Sequence, residues 1–212
     1  MLQTWKFSFS QTSERKAEES ILRILIIRPG ETTFDEQRCI QGNLDVRLTE
    51  RGRDEVQKLA DDLKKEMISQ IYYAPCHSAQ ETARDIAQEL RIPKKALEGL
   101  QNQNQGLWQG MRVNELQQRQ PRNYRNWAAS PEAIVPPGGE SFQDVTHRVQ
   151  KTIQWILKRH LSGAIGLVVC EPLASIVRCR LKCEEAKNLW NYIGLHGLWE
   201  PVEVHPSQLL VR

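Results

Sequence analysis

No apolar run in this chain approaches the roughly 18 residues that a bilayer span requires, so no membrane-spanning helix is expected. Cysteine is sparse, with Cys39, Cys76, Cys170, Cys179 and Cys183 at unrelated spacings. An odd count without a repeated interval argues against a disulfide framework and for reduced thiols in a cytoplasmic protein. Cys179 and Cys183 stand at helical i,i+4 spacing, but no histidines cluster with them, so no metal site is expected. Charge of one sign is missing too. Acidic and basic residues interleave, as in Glu50-Arg51-Gly52-Arg53-Asp54-Glu55, and the formal balance over 212 residues is only +3. That leaves no single-sign face for nucleic acid. The start of the chain mixes Lys6, Glu14, Arg15, Lys16, Glu18 and Glu19 without an apolar centre, unlike a signal peptide. Residues 1–20 are therefore expected to be a flexible extension ahead of a single domain over 21–212.

What remains is ordinary globular composition, 40% hydrophobic and 26% charged, enough for one α/β domain with a substantial core. Ile21 to Ile27 is nearly all apolar and stops at Pro29-Gly30, the pattern of a buried parallel strand. Thr49 then caps a helix on which Val56, Leu59, Ala60, Leu63 and Met67 recur at helical spacing. Ile71-Tyr72-Tyr73 reads as a second strand, and a helix follows from His77 to Leu90 before Pro93. Residues 100–137, rich in Gln, Asn, Arg and Pro, read as a loop excursion with one short helix over Val113 to Arg119. Ser141 opens a helix carrying Val145, Val149, Ile153, Ile156 and Leu157. A strand over Ile165 to Cys170 leads into a further helix at Pro172, with one more strand and helix beyond. Alternating strands and helices predict a three-layer α/β/α sandwich around a mostly parallel sheet.

In such sheets the chemistry collects at the carboxyl ends of the strands, and those ends carry recognisable text. Arg28-Pro29-Gly30-Glu31-Thr32 resembles the Arg-His-Gly-Glu-Thr signature of the histidine phosphatase (phosphoglycerate-mutase-like) family, with Gln41-Gly42 and Leu48-Thr49-Glu50-Arg51-Gly52 at the family's spacing. Ala74-Pro75-Cys76-His77-Ser78-Ala79-Gln80-Glu81-Thr82-Ala83 is similar to a second element, and Val168-Val169-Cys170-Glu171-Pro172 falls where the family has Val-Val-Ser-His-Gly. Gly106-Leu107-Trp108-Gln109-Gly110 and Pro137-Gly138-Gly139-Glu140-Ser141 complete five elements in order. The resemblance implies a phosphoglycerate-mutase-like fold.

It also implies a phosphate cage whose residues this chain has changed. The family's nucleophilic histidine falls at Pro29, which has no lone pair to offer. Its second arginine falls at Ser78, its second histidine at Glu171, its proton-donating glutamate at Asn102 and its phosphate-contacting asparagine at Asp35. Arg28 alone is unchanged. Phosphoryl transfer relies on positive charge around the equatorial oxygens. One arginine would here face two carboxylates, each opposing a phosphate by about 1–4 kcal/mol at contact. Losing nucleophile and base together removes nearly all of the chemistry, because such groups act as a unit. No residue of the catalytic set is thus intact, and no cofactor or metal is implied.

The expectation is a catalytically inactive relative, a pseudophosphatase with a ligand-binding, regulatory or silent-subunit role. The alternative is a phosphatase- or phosphomutase-like enzyme, or a hydrolase, using a non-standard site built on Glu171, Asp35 or Cys170. Candidate ligand-binding residues are Arg28, Gly30, Glu31, Thr32, Asp35, Gln41, Gly42 and Glu171. Candidate partners are a small anionic or polar ligand, a second copy of the chain or an active paralogue. Glu171 is expected at a helix N-cap before Pro172, either paired with Arg28 as an internal substitute for phosphate or pointing with it into a hydrated cleft. His77, His147, His160, His196 and His205 match no motif and are read as structural or solvated.

Overall fold

The run Leu22–Ile27 forms the spine of the sheet in the computed structural model, which describes residues 20–130, 134–184 and 195–205. This strand, β1, is buried at five of its six positions because it has a neighbour on each side and helices above and below. It pairs in parallel with β4 (Gly163–Val168) and antiparallel with β5 (Trp199–Val204). On the far side of β4 lie β2 (Ile68–Tyr73) and the short β3 (Lys94–Ala96), both parallel. The spatial order is β3-β2-β4-β1-β5. The expected three-layer α/β/α architecture with a mostly parallel sheet is the one observed.

Register decides what meets at the sheet's edge. Ile27 and Tyr73 both pair with Val168, so β1, β2 and β4 end level with one another. The ladder runs one step further: Val169 N–H donates to Ile27 O (3.0 Å) and Ala74 N–H to Val168 O (2.9 Å). Arg28, Ala74 and Val169 therefore stand level where the sheet ends, with Cys170 the next residue along the chain.

The helices form where caps and apolar periodicity coincide. A single turn, α1 (Thr33–Glu36), follows β1. In α2 (Glu50–Leu63) the Thr49 hydroxyl accepts from Gly52 N–H at 2.9 Å, and Val56, Leu59, Ala60 and Leu63 are buried. It packs against α3 (His77–Leu90), which buries Ala79, Ala83, Ile86 and Ala87. In the excursion, α4 (Val113–Arg119) is followed by α5 (Pro121–Ala129). Ser141 caps α6 (Phe142–Leu157) through Asp144 N–H at 3.1 Å, and α6 packs on α7 (Leu173–Lys182). All five apolar positions expected on α6 are buried.

Some expectations are corrected. Met67 is not part of α2. It sits in the left-handed region with 85% of its surface exposed, because the helix tightens into a 3₁₀ turn at Lys64–Glu66 and turns away. The strand expected from Ile165 to Cys170 spans Gly163–Val168; the Val169 N–H still reaches Ile27 O, and Cys170 lies beyond the ladder. The excursion holds a second helix, α5, started by Pro121 in the first turn, where its missing N–H costs nothing. Most of the expected N-terminal extension and the late helix lie outside the described residues.

Beyond the main core, Ile40, Trp108, Leu116 and Trp127 form a separate buried cluster. Trp108 meets Trp127 edge to face, with centroids 5.7 Å apart. This small core fastens the excursion to the loop after β1, reinforced by Ile40 N–H to Met111 O (2.9 Å) and Gly110 N–H to Ile40 O (2.9 Å). Among the described residues no helix is long and apolar enough to cross a membrane.

Candidate functional site

Where β1, β2 and β4 end, the chain before β5 folds over them. Arg28 N–H donates to Leu198 O (2.8 Å) and Gly197 N–H to Pro29 O (2.7 Å). The opposite wall comes from the excursion. Arg148 on α6 holds Glu140 through Nε (2.9 Å) and Nη2 (2.8 Å), and its Nη1 donates to Gly99 O (3.1 Å) and Gln101 O (2.6 Å). Gln103 Nε2 donates to Glu140 O at 3.0 Å. The Gln/Asn-rich segment is thereby laid along the sheet edge.

These walls enclose a cavity of about 50 Å³. Of the residues expected from sequence, Pro29, Gly30, Thr32, Asp35, Gln41, Gly42, Ser78 and Glu171 all line it. Arg28, Glu31 and Asn102 do not. Arg28 lies behind the wall, 4% exposed, with Nε 2.7 Å from Glu171 Oε1 and Nη2 2.9 Å from Glu200 Oε1. The expected Arg28–Glu171 pair is thus present, and Glu200 is an additional partner that sequence reading missed. Burial alone would lower the Arg28 pKa, but the two carboxylates outweigh it and raise it. Burial raises the Glu171 pKa, opposed by Arg28 and by the hydrogen bond from Ser175 N–H.

Glu171 is not the N-cap of α7. Pro172 takes that position after a cis peptide bond, and the Glu171 carboxylate still accepts from Ser175 N–H at 3.2 Å. Its attraction to the helix N-terminus survives the one-residue displacement. Asn102 braces the wall from behind, donating through Nδ2 to Gly42 O (2.9 Å) and Glu171 O (2.8 Å). Asp35 closes a capping box with Thr32: its Oδ2 accepts from Thr32 N–H (2.8 Å) and Oγ1 (2.7 Å). Glu31 is engaged elsewhere, accepting from Thr49 Oγ1 (2.9 Å) and lying 3.3 Å from Arg51 Nη1. Gly30 and Gly52 let β1 and α2 approach so closely that a Cβ on either would meet the other segment's backbone.

The wall also includes Cys39, Ile40, Gln105, Cys170, Pro172, Leu195 and His196. His196, expected to be structural or solvated, lines the cavity. Its Nδ1 lies 2.7 Å from Glu55 Oε2 and its Nε2 3.7 Å from Glu31 Oε1. No local motif announces it, because Glu55 is 141 residues away in sequence and only the antiparallel return of β5 brings them together. Gln105 is 1% exposed; its Nε2 donates to Gln103 Oε1 (3.0 Å) while its Oε1 is buried without a partner. Among the described residues the cavity wall carries two carboxylates, Asp35 and Glu171, and no lysine or arginine.

Residues 24–208 match the profile of the Histidine phosphatase superfamily (branch 1). Phosphoserine phosphatase 1 of Hydrogenobacter thermophilus is 26% identical over 172 residues, covering 81% of this chain and 82% of its own. The adenosylcobalamin/alpha-ribazole phosphatase of Escherichia coli is 24% identical over 191 residues, covering 90% and 94%. The crystal structure of the alpha-ribazole phosphatase from Shigella flexneri aligns with a TM-score of 0.73 at 25% identity, over 84% of this chain and 89% of that one.

Proposed function

The chain belongs to the histidine phosphatase superfamily (branch 1), and from that premise we propose that it keeps the fold without the phosphoryl-transfer chemistry, its pocket serving as a binding site for a small polar ligand. The observation that carries this reading is the buried Arg28–Glu171 pair, at 2.7 Å. A carboxylate from the chain's own β4–α7 junction occupies the guanidinium that a phosphate would need. A phosphate dianion entering the cavity meets Asp35 and Glu171, each opposing it by about 1–4 kcal/mol at contact. Pro29, at the position the resemblance assigns to the nucleophile, has no atom able to accept a phosphoryl group.

A second reading has its own support. Relatives of this chain are named as phosphatases, and His196 puts an imidazole on the cavity wall with Nδ1 held by Glu55. A carboxylate holding one ring nitrogen orients the other, the arrangement used by histidine bases and nucleophiles. In this reading the chain is a phosphatase- or hydrolase-like enzyme working from a non-standard site.

One assay separates the two. Purified protein is incubated with an aryl phosphate and a panel of sugar and amino-acid phosphates, alongside His196→Ala and the triple variant P29H/S78R/E171H. The first reading expects no turnover above the protein-free blank in the wild type or in His196→Ala, with activity appearing only in the triple variant. Wild-type turnover that His196→Ala abolishes would overturn it in favour of the enzyme.

A further inference from the structure

A cluster of sulfur and hydroxyl groups lies at the level ends of β2 and β4, beside the charge pair. Cys76 Sγ is 3.8 Å from Cys170 Sγ, and Ser78 Oγ is 3.7 Å from each sulfur. The two cysteines are 94 residues apart in sequence. The register that ends β2 and β4 together at Val168 brings them into contact. Their settings differ. Cys76, just before α3, is partly exposed, whereas Cys170 is buried in the cavity wall.

We propose that Cys76 and Cys170 form a peroxide-reactive dithiol that closes reversibly to a disulfide. The Cys76 thiolate attacks hydrogen peroxide, forming an S–O bond as the O–O bond breaks. Hydroxide leaves, takes up a proton as water, and Cys76 becomes a sulfenic acid. Cys170 then attacks the Cys76 sulfur: the S–S bond forms, the S–O bond breaks, and the departing oxygen leaves as water with the Cys170 proton. Two thiols are oxidised, one peroxide is reduced to two waters, and a low-molecular-weight thiol reverses the reaction by exchange.

The division of labour follows from the surroundings. A hydrogen bond with Cys170 lowers the Cys76 thiol to about 7, opposed by burial and by the Asp45 carboxylate and assisted by the Ala79 N–H and Ser78. Cys170 is pushed up by the same contact with Cys76 and by burial, with Asp35 adding to the shift and Ser78 opposing it. The partly exposed thiol is therefore the one that ionises, and the buried thiol is positioned to resolve. Cys170 immediately precedes Glu171, so the disulfide would tie the segment that neutralises Arg28 to the end of β2.

The full chain, fully reduced, is treated with hydrogen peroxide near neutral pH, digested without reduction and mapped by mass spectrometry. The expected product is a Cys76–Cys170 cross-link that reducing thiols reverse. In Cys170→Ser the expected product is a sulfenic acid at Cys76, captured by a dione probe, while Cys183→Ser leaves the wild-type cross-link intact. Wild-type protein that reacts at exposed Cys183 while Cys76 and Cys170 stay free would overturn the proposal. So would a bond from Cys76 to Cys39 in place of Cys170. The wild-type mapping stands even if a substituted chain fails to fold.

Discussion

The Arg28 guanidinium meets the Glu171 carboxylate at 2.7 Å with both side chains only 5% exposed. Two residues 143 positions apart thus neutralise each other at the level ends of β1 and β4. A charge pair this deep is costly to break one-sidedly, commonly about 3–5 kcal/mol, and it has direct consequences for anions.

Glu171→Gln keeps the shape of the side chain and removes its charge. Arg28 retains Glu200, so the variant should lose less stability than a fully orphaned arginine would cause. It should also gain an anion site. Millimolar inorganic phosphate is expected to raise its melting temperature by a few degrees and to leave the wild type unchanged. Equal responses of the two proteins in a thermal scan would show that Glu171 does not guard Arg28.

Acid should reproduce that substitution in the wild type. Burial raises the Glu171 pKa, so as pH falls through that raised value the carboxylate becomes neutral before an ordinary exposed glutamate would. The cavity loses negative charge and Arg28 loses a counterion. Sulfate, a dianion throughout the range, should bind more tightly as pH falls below neutrality, followed by calorimetry, and Glu171→Gln should flatten the dependence. An affinity independent of pH in the wild type would remove Glu171 as the controlling group.

Gly52 lies at the closest approach of α2 to the end of β1, where an added Cβ would strike the Glu31 backbone. Because rigid backbone stands in the way, the segments must separate. Gly52→Ala is expected to destabilise by about 3 kcal/mol, at the upper end of overpacking costs, measured by urea unfolding. A loss under about half a kilocalorie would mean that the β1–α2 junction yields freely.

Much of this architecture was legible in the residues themselves. The apolar run of β1, the Thr49 and Ser141 caps and the helical spacing on α2, α3 and α6 are local signals, and each produced its element within a residue or two. Met67 and α5 were misread because both depend on a change of direction, one at a left-handed residue and one at Pro121, that spacing alone does not encode. The Arg28–Glu171 pairing could be anticipated because two elements with preserved text place those positions at neighbouring strand ends. Glu200 and His196 could not, since they reach the site on β5 and the segment before it, whose antiparallel register against β1 is set by long-range pairing.

The motif at Arg28-Pro29-Gly30 marked the end of β1 as a site and told which side chain types stand there. Composition and motif order likewise sufficed for the α/β fold, since patterning and caps act over a few residues. Only the tertiary structure decided the site's charge and partners: that Arg28 is withdrawn behind the wall, that two carboxylates offset it, and that His196 and the Cys76–Cys170 pair share the same edge. Electrostatics and contact depend on distance and burial, and those quantities exist only once β1, β2, β4 and β5 have paired in register.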